Sequence, residues 1–302
     1  MAAVEAVLIA GPTASGKSRL AMELAGRLDG VIVNADSMQV YDGLSILTAR
    51  PSAADMATLP HALYGHVRPG DPYSAGTYLR DAAASLAAAK AAGRLPIFCG
   101  GTGLYFKALL GLLDEMPPVP AAIREHWRGQ LAAEGAPALH RLLAERDPVA
   151  ASRIALADGQ RIVRALEVGE ASGRTLSALQ AGRGEGPLEG ARTVRVVLAP
   201  DRSELRERIA RRFDAMLADG ALAEVEAFRR MPGALDGSAA RAIGVDELGA
   251  VIDGTLDLAA ARERAITRTR QYAKRQETWF RHQFGPDWQR LDAPDPTRIE
   301  GI

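Results

Sequence analysis

Cysteine is nearly absent from this chain of 302 residues: Cys99 stands alone. That excludes an internal disulfide and any zinc or iron–sulfur site built from several cysteines of one chain. Cys99 lies in the apolar run PIFCGG and reads as a buried small hydrophobe rather than a nucleophile. Net charge is missing as well. The 37 basic and 37 acidic residues balance, so total charge does not advertise a nucleic-acid partner. No apolar run approaches the roughly 20 residues that span a bilayer, and no basic leader precedes the short stretch Ala6 to Ala10. The expectation is a cytoplasmic protein with no membrane association. What is present is a globular composition, 47% hydrophobic and 25% charged, enough for one large domain or two smaller ones.

The first 111 residues alternate strand and helix patterns, in a core segment taken as residues 1–115. AVLIAG is a β-branched and apolar run, followed by a glycine-rich turn and then SRLAMELAGRL with apolar residues at helical spacing. VIVNADS is a second strand candidate. A polar, proline-containing stretch from Asp42 to Tyr73 follows, then an alanine-rich helix from about Ser74 to Ala92 and a third strand, PIFCGGTG. This alternation predicts an α/β fold, a parallel sheet flanked by helices, with ligands at the carboxyl ends of its strands. At MPPVP the pattern breaks, and residues 116–190 offer helices without a strand candidate, an inserted helical domain. Residues 191–302 return to the core through the strand TVRVVLAP and continue as C-terminal helices. The last residues, APDPTRIEGI, are expected to be loosely ordered. Between Arg262 and Arg281 the bases Arg262, Arg264, Arg268, Arg270, Lys274, Arg275 and Arg281 face only Glu263 and Glu277. Arg264, Arg268, Gln271 and Arg275 share one helix face, which fits either a solvated surface or one that tracks phosphates.

Gly11, Pro12, Thr13, Ala14, Ser15, Gly16, Lys17 and Ser18 match G-x-x-x-x-G-K-[ST] between a predicted strand and a predicted helix, the setting that this P-loop pattern requires. Its glycines let backbone N–H groups wrap an anion at the positive end of the helix. Lys17 supplies a point charge, and Ser18 offers an oxygen to Mg²⁺. The loop reads oxygen geometry alone, so a nucleoside triphosphate and another pyrophosphate both fit.

Two further segments end at strand tips that a parallel sheet would bring near the loop: NADSMQVY from Asn34 and GGTGLY from Gly100. With GPTASGKS they resemble the tRNA dimethylallyltransferase family, and the likeness continues through DGQRIVRALEV from Asp158, ARRFDAMLADG from Ala210 and TRQYAKRQETWFR from Thr269. It therefore runs from about Ala6 to Arg281 in the family's order. The resemblance implies a P-loop NTPase-like core and transfer of dimethylallyl from its diphosphate to the N6 amine of adenosine 37 of tRNA, with Mg²⁺. Asp36 is then the general base, Thr102 sits near the diphosphate's bridging oxygen, and Arg212 neutralises the leaving group. A Mg²⁺ ligand or loop cap for Asp36, a helix N-cap for Thr102 and a solvated arginine for Arg212 remain the alternatives.

A base stacked in the anticodon loop is reached only when it is splayed or flipped into the protein. By the same resemblance Asp36, Ser37, Met38, Gln39 and Thr102 meet the flipped adenosine. Arg124, Gln160, Arg161, Ile162, Val163, Arg164, Arg241 and Gly244 match further positions that contact the tRNA anticodon stem-loop. The sequence departs from the family at Leu47 and Arg50, where glycine and lysine are usual, and at Val245, where tyrosine is usual. His61 and His66 lack ligand-like spacing and are assigned no metal. The zinc-finger extension of eukaryotic relatives is not found, which by expectation points to the bacterial type; separately, a monomer is expected. Rival readings are a small-molecule kinase, a prenyltransferase acting on free adenine nucleotide, and a nucleotide-switched RNA-binding module.

Overall fold

The computed structural model describes residues 3–114, 116–180 and 184–302. It divides into two compact units, one formed by the chain up to Leu110 together with Pro187–Ile302, the other by Gly111–Gly186. These limits fall a few residues before the composition breaks at Met116 and Gly190; Glu115 itself lies outside the described residues. Leu188 explains the second limit. It is buried beside Phe106 and Leu109, and its N–H donates to the Leu109 carbonyl at 2.9 Å, so the chain has rejoined the first unit by then.

The first unit opens with β1 (Ala6–Ala10), α1 (Lys17–Arg27), β2 (Gly30–Asn34), α2 (Ala53–Thr58), β3 (His61–Ala62), α3 (Ala75–Ala91), β4 (Leu95–Gly100) and α4 (Gly103–Leu109). All five residues of β1 are buried, as expected of a central parallel strand covered on both faces. In α1, Leu20, Ala21, Leu24 and Ala25 bury one stripe at three- and four-residue spacing. The second unit consists of α5 (Ala121–Glu134), α6 (Ala136–Arg146), α7 (Pro148–Arg153), α8 (Gly159–Ser172) and α9 (Leu176–Leu179), with no strand among the described residues. Its core gathers Trp127, Leu139, Leu143, Ile162, Val163 and Leu166.

The first unit resumes with β5 (Thr193–Leu198), α10 (Arg202–Ala218), α11 (Ala221–Arg229), α12 (Val245–Ile252), α13 (Leu258–Gln283) and β6 (Gln289–Leu291). Its six strands run in the order β3-β2-β4-β1-β5-β6, and every pairing is parallel. β4 lies between β1 and β2, so the loops after all three strands open onto one crevice, where ligands of such sheets bind.

Two short edge strands escape the sequence reading. β3 sits inside the polar, proline-containing stretch from Asp42 to Tyr73, and β6 precedes the tail expected to be loose. That tail is instead packed. Leu291 and Ile299 are buried, and the Gln289 amide bonds both backbone groups of Glu300, at 2.8 and 2.9 Å. Prolines are compatible with this course because it follows the sheet edge and its loop rather than a central strand.

Candidate active site

The phosphate loop is built by backbone form. Ala14 and Gly16 take φ of +63° and +91°, two left-handed residues of the kind that curve a backbone around an anion. Gly16 is further confined by the tail: a Cβ there would lie 2.9 Å from Pro294 Cγ. Lys17 opens α1, and its Nζ donates to the Pro12 carbonyl at 3.2 Å. Burial lowers the Lys17 pKa from its ordinary value, and the charge of Asp36 acts in the opposite direction. Ser18, in the first turn of α1, is exposed. Cys99 is buried behind Lys17, and desolvation pushes its thiol up to about 12.

Asp36 stands just past β2, held by the buried Asn34. The Asn34 amide donates to the carbonyls of Asp36 and Leu63 at 2.9 and 3.0 Å, and its oxygen accepts from the Asp36 N–H at 2.9 Å. Asp36 Oδ1 accepts from the Met38 N–H at 2.9 Å, while Oδ2 has no hydrogen-bond partner among the described residues. One carboxylate oxygen is thus used to shape the turn, and the other stays unpaired among the described residues. Thr102, after β4, occupies the N-cap position of α4 without making a side-chain cap bond. Its Oγ1 accepts instead from the Ser37 N–H at 2.9 Å and pairs with Ser37 Oγ at 3.2 Å, tying the two strand tips together.

A cavity of about 550 Å³ opens beside these groups. Thr13 and Ala14 of the loop, Asp36, Ser37 and Met38 line one side. Arg212, Arg241 and Arg275 supply positive charge, Arg268 is paired with Asp246 and Glu247 at 3.2 and 2.7 Å, and Leu47, Phe213, Met216 and Ile243 supply apolar wall. Arg212 Nη1 donates to Thr13 Oγ1 at 3.3 Å, and burial lowers its pKa against the opposing pull of Asp36. It is therefore not the freely solvated arginine that its basic run allowed. Tyr272, also on the wall, has its hydroxyl pKa raised by burial and by Asp36.

Not every residue singled out from the sequence reaches this cavity. Gln39 turns its amide to the carbonyls of Thr48 and Ala49, at 2.7 and 3.0 Å, and so clamps a loop. Gly244 is covered by Leu47. Lys17, Ser18 and Thr102 lie outside the cavity lining itself. In the second unit Ile162 and Val163 are buried in the helical core, 0% and 6% exposed, so their side chains offer almost no surface to an RNA. The helical phase of α8 turns them inward and leaves Gln160, Arg161 and Arg164 exposed. Arg161 lies 3.5 Å from Asp158 and Arg164 3.8 Å from Glu167. Arg124 is exposed and bonds the Val119 carbonyl through Nε and Nη2.

The sequence reading missed Asn34 and Gln276 as builders of the site and Phe213, Met216 and Tyr272 as its wall. All five lie in or beside the quoted motifs. Only their side-chain directions, which no motif carries, give them these places.

The IPP transferase family model matches residues 39–283 and the isopentenyl transferase model residues 4–64. A tRNA dimethylallyltransferase of Chelativorans sp. (strain BNC1) is 55% identical over 95% of this chain and 98% of its own. One from Sinorhizobium medicae is 51% identical over 97% and 96%. The crystal structure of the Bacillus halodurans tRNA isopentenylpyrophosphate transferase superposes with a TM-score of 0.66 at 32% identity, covering 94% of this chain and 88% of that one. A eukaryotic dimethylallyltransferase crystallised acting on tRNA gives 0.78 at 26% identity, over 98% and 75%. Fold and site together define a P-loop NTPase-like α/β protein whose phosphate loop and a neighbouring carboxylate share one cationic cavity. The chain belongs to the tRNA dimethylallyltransferase (IPP transferase) family of prenyltransferases.

Proposed function

We propose that this protein transfers a dimethylallyl group from dimethylallyl diphosphate to the N6 amine of adenosine 37, beside the anticodon of a tRNA. The observation that carries this reading is the free Oδ2 of Asp36 at the edge of a cavity lined also by Thr13 and Ala14 of the phosphate loop and by Arg212. An adenine amine is a poor nucleophile because its lone pair is delocalised, whereas an allylic carbon shares positive charge as its C–O bond breaks. The electron pair of that bond leaves with the diphosphate, N6 forms the new C–N bond, and the N6 proton passes to Asp36 Oδ2. Loop N–H groups, Lys17 and Arg212 take up the charge on the leaving group. Thr102 holds Ser37 and the Asp36 turn against the β4 tip, within reach of the bridging oxygen once substrate is seated.

The donors present fit Mg²⁺. Ser18 presents an exposed hydroxyl, a hard oxygen, at the loop's end, and among the described residues no three His, Cys, Asp or Glu side chains gather into an all-protein metal cage. Such a sparse set suits a cation that takes its remaining ligands from water and phosphate. When bound, Mg²⁺ supplies charge neutralisation on the diphosphate.

The tRNA is held by exposed Arg124, Gln160, Arg161 and Arg164 of the helical unit and by Arg241 and the basic face of α13. Ser37 and Met38 meet the flipped base. No helix among the described residues is long and apolar enough to cross a membrane, and we place the reaction in the cytoplasm, with the protein acting as a monomer.

The test is incubation of the protein with Mg²⁺ and labelled dimethylallyl diphosphate alongside unmodified tRNA, AMP, or ATP with candidate acceptors. Label is expected in tRNA alone. Label in AMP, or phosphate transfer from ATP, would replace this reading with one of its rivals.

A further inference from the structure

Helix α13 places one amide between the phosphate loop and the β4 tip. Gln276 is 6% exposed, and both of its polar atoms are used on backbone groups far away in the chain. Oε1 accepts from the Thr13 N–H of the phosphate loop at 2.9 Å, and Nε2 donates to the Gly101 carbonyl at the β4 tip, also at 2.9 Å. Gly101 has no side chain because this amide occupies the place of one. A Cβ there would lie 2.2 Å from Gln276 Nε2 and 3.2 Å from Asp36 Oδ2. One turn further on, Trp279 fills the corresponding space at Gly103, where a Cβ would meet its ring at 2.0 Å.

The two backbone groups that Gln276 joins are neighbours of the reacting parts. Thr13 carries the hydroxyl that accepts from Arg212, and Gly101 precedes Thr102 and abuts the free oxygen of Asp36. The bridge requires an acceptor on one side and a donor on the other. Glutamate keeps the acceptor and loses the donor; methionine, of similar length, loses both and leaves the part-buried Thr13 N–H and the buried Gly101 C=O without this partner. The same helix presents Arg268, Tyr272 and Arg275 to the cavity, so the residue that sets the loop-to-base separation rides on the element lining the cationic wall.

We propose that Gln276 is a positioning residue of the transfer reaction: its amide sets the distance between the diphosphate loop and the Asp36–Thr102 pair. This rests on the prenyl-transfer reading above. A displacement of about 1 Å between reacting groups costs on the order of 10²-fold in rate, and the effect falls on turnover rather than on tRNA binding.

The experiment compares wild type, Gln276→Met, Gln276→Glu, Asp36→Ala and the double variant Asp36→Ala with Gln276→Met. It reads kcat and KM with dimethylallyl diphosphate and tRNA, tRNA affinity by filter binding, and thermal unfolding. Gln276→Met is expected to lower kcat about 10²-fold with tRNA affinity kept. In the Asp36→Ala background the same change should cost no more than about twofold, because there is then no base to position. Equal fold-losses in both backgrounds, or a kcat within about twofold of wild type, would overturn the assignment. Failure of both Gln276 variants to fold would also overturn it, making the glutamine a structural residue. If wild type transfers no label to tRNA, the prenyl-transfer reading falls first and this inference with it, an outcome distinct from active wild type with indifferent variants.

Discussion

Leu47 covers Gly244: a Cβ on residue 244 would lie 2.7 Å from Leu47 Cδ2, and Gly244 holds φ at +108°. Leu47 is placed by Glu224, whose carboxylate accepts from Ser45 Oγ and from the N–H groups of Ile46 and Leu47. Leu47 and Val245, two departures from the family pattern, belong to one apolar cluster with Ala242 and Leu248. They meet in the same core rather than standing as separate losses. Leu47→Ala is expected to destabilise the protein by about 2–3 kcal/mol through lost burial and a cavity. Gly244→Ala should cost about 1–3 kcal/mol through a strained left-handed backbone, before any clash with Leu47 is counted. Urea unfolding measures both, and unchanged midpoints would show that the two loops separate freely.

Asp36→Asn keeps an oxygen for the Met38 N–H but offers no base at the other position. Turnover is expected to fall about 10²–10⁴-fold while tRNA affinity stays near wild type. Single-turnover transfer and filter binding check the two halves of that statement, and a parallel loss of RNA affinity would reassign Asp36 to binding.

Cys99 gives a pH dependence of definite sign. Burial raises its thiol from the ordinary 9.0 to about 12 in the folded state. In that window the unfolded chain has released the proton and the native protein retains it, so stability declines as pH rises from 9.0 toward about 12. Cys99→Ser removes this contribution, and its stability should therefore fall less steeply across the same range. Denaturant midpoints of both proteins at several alkaline pH values test the difference. A thiol reagent at pH 8 should label the native protein far more slowly than the unfolded one.

Arg161 is exposed on α8, 3.5 Å from the partly exposed Asp158. If it meets an RNA phosphate, Arg161→Ala should weaken tRNA binding and reduce the slope of log K against log salt by about 1. Filter binding over a range of salt measures the slope. Ile162→Ala, one residue on, should instead destabilise the helical unit by about 2–5 kcal/mol, as truncation of a buried isoleucine does.

Much of the fold was legible because its signals are local. A β-branched run, a glycine turn and a helical stripe follow one another within a few residues, and GPTASGKS announces its turn through its glycines, although the left-handed Ala14 carries no such signal. The short edge strands were harder to read. Two residues at His61–Ala62 and three at Gln289–Leu291 are too brief for a period to show, and only pairing with β2 and β5 makes them strands.

The phosphate loop, the carboxylate after the second strand and the alternation that makes a parallel sheet are all written in contiguous residues, where spacing and backbone preference suffice. Contacts across the chain decided the remainder. Gln276 reaches Thr13 over 263 positions, a separation at which no pattern of neighbours specifies a hydrogen bond. Helical phase buried Ile162 and Val163 beside exposed Arg161 and Arg164, and packing seated the proline-rich tail against Gly16. Which side chain a fold turns inward depends on what lies opposite it, and that is settled only when distant segments meet.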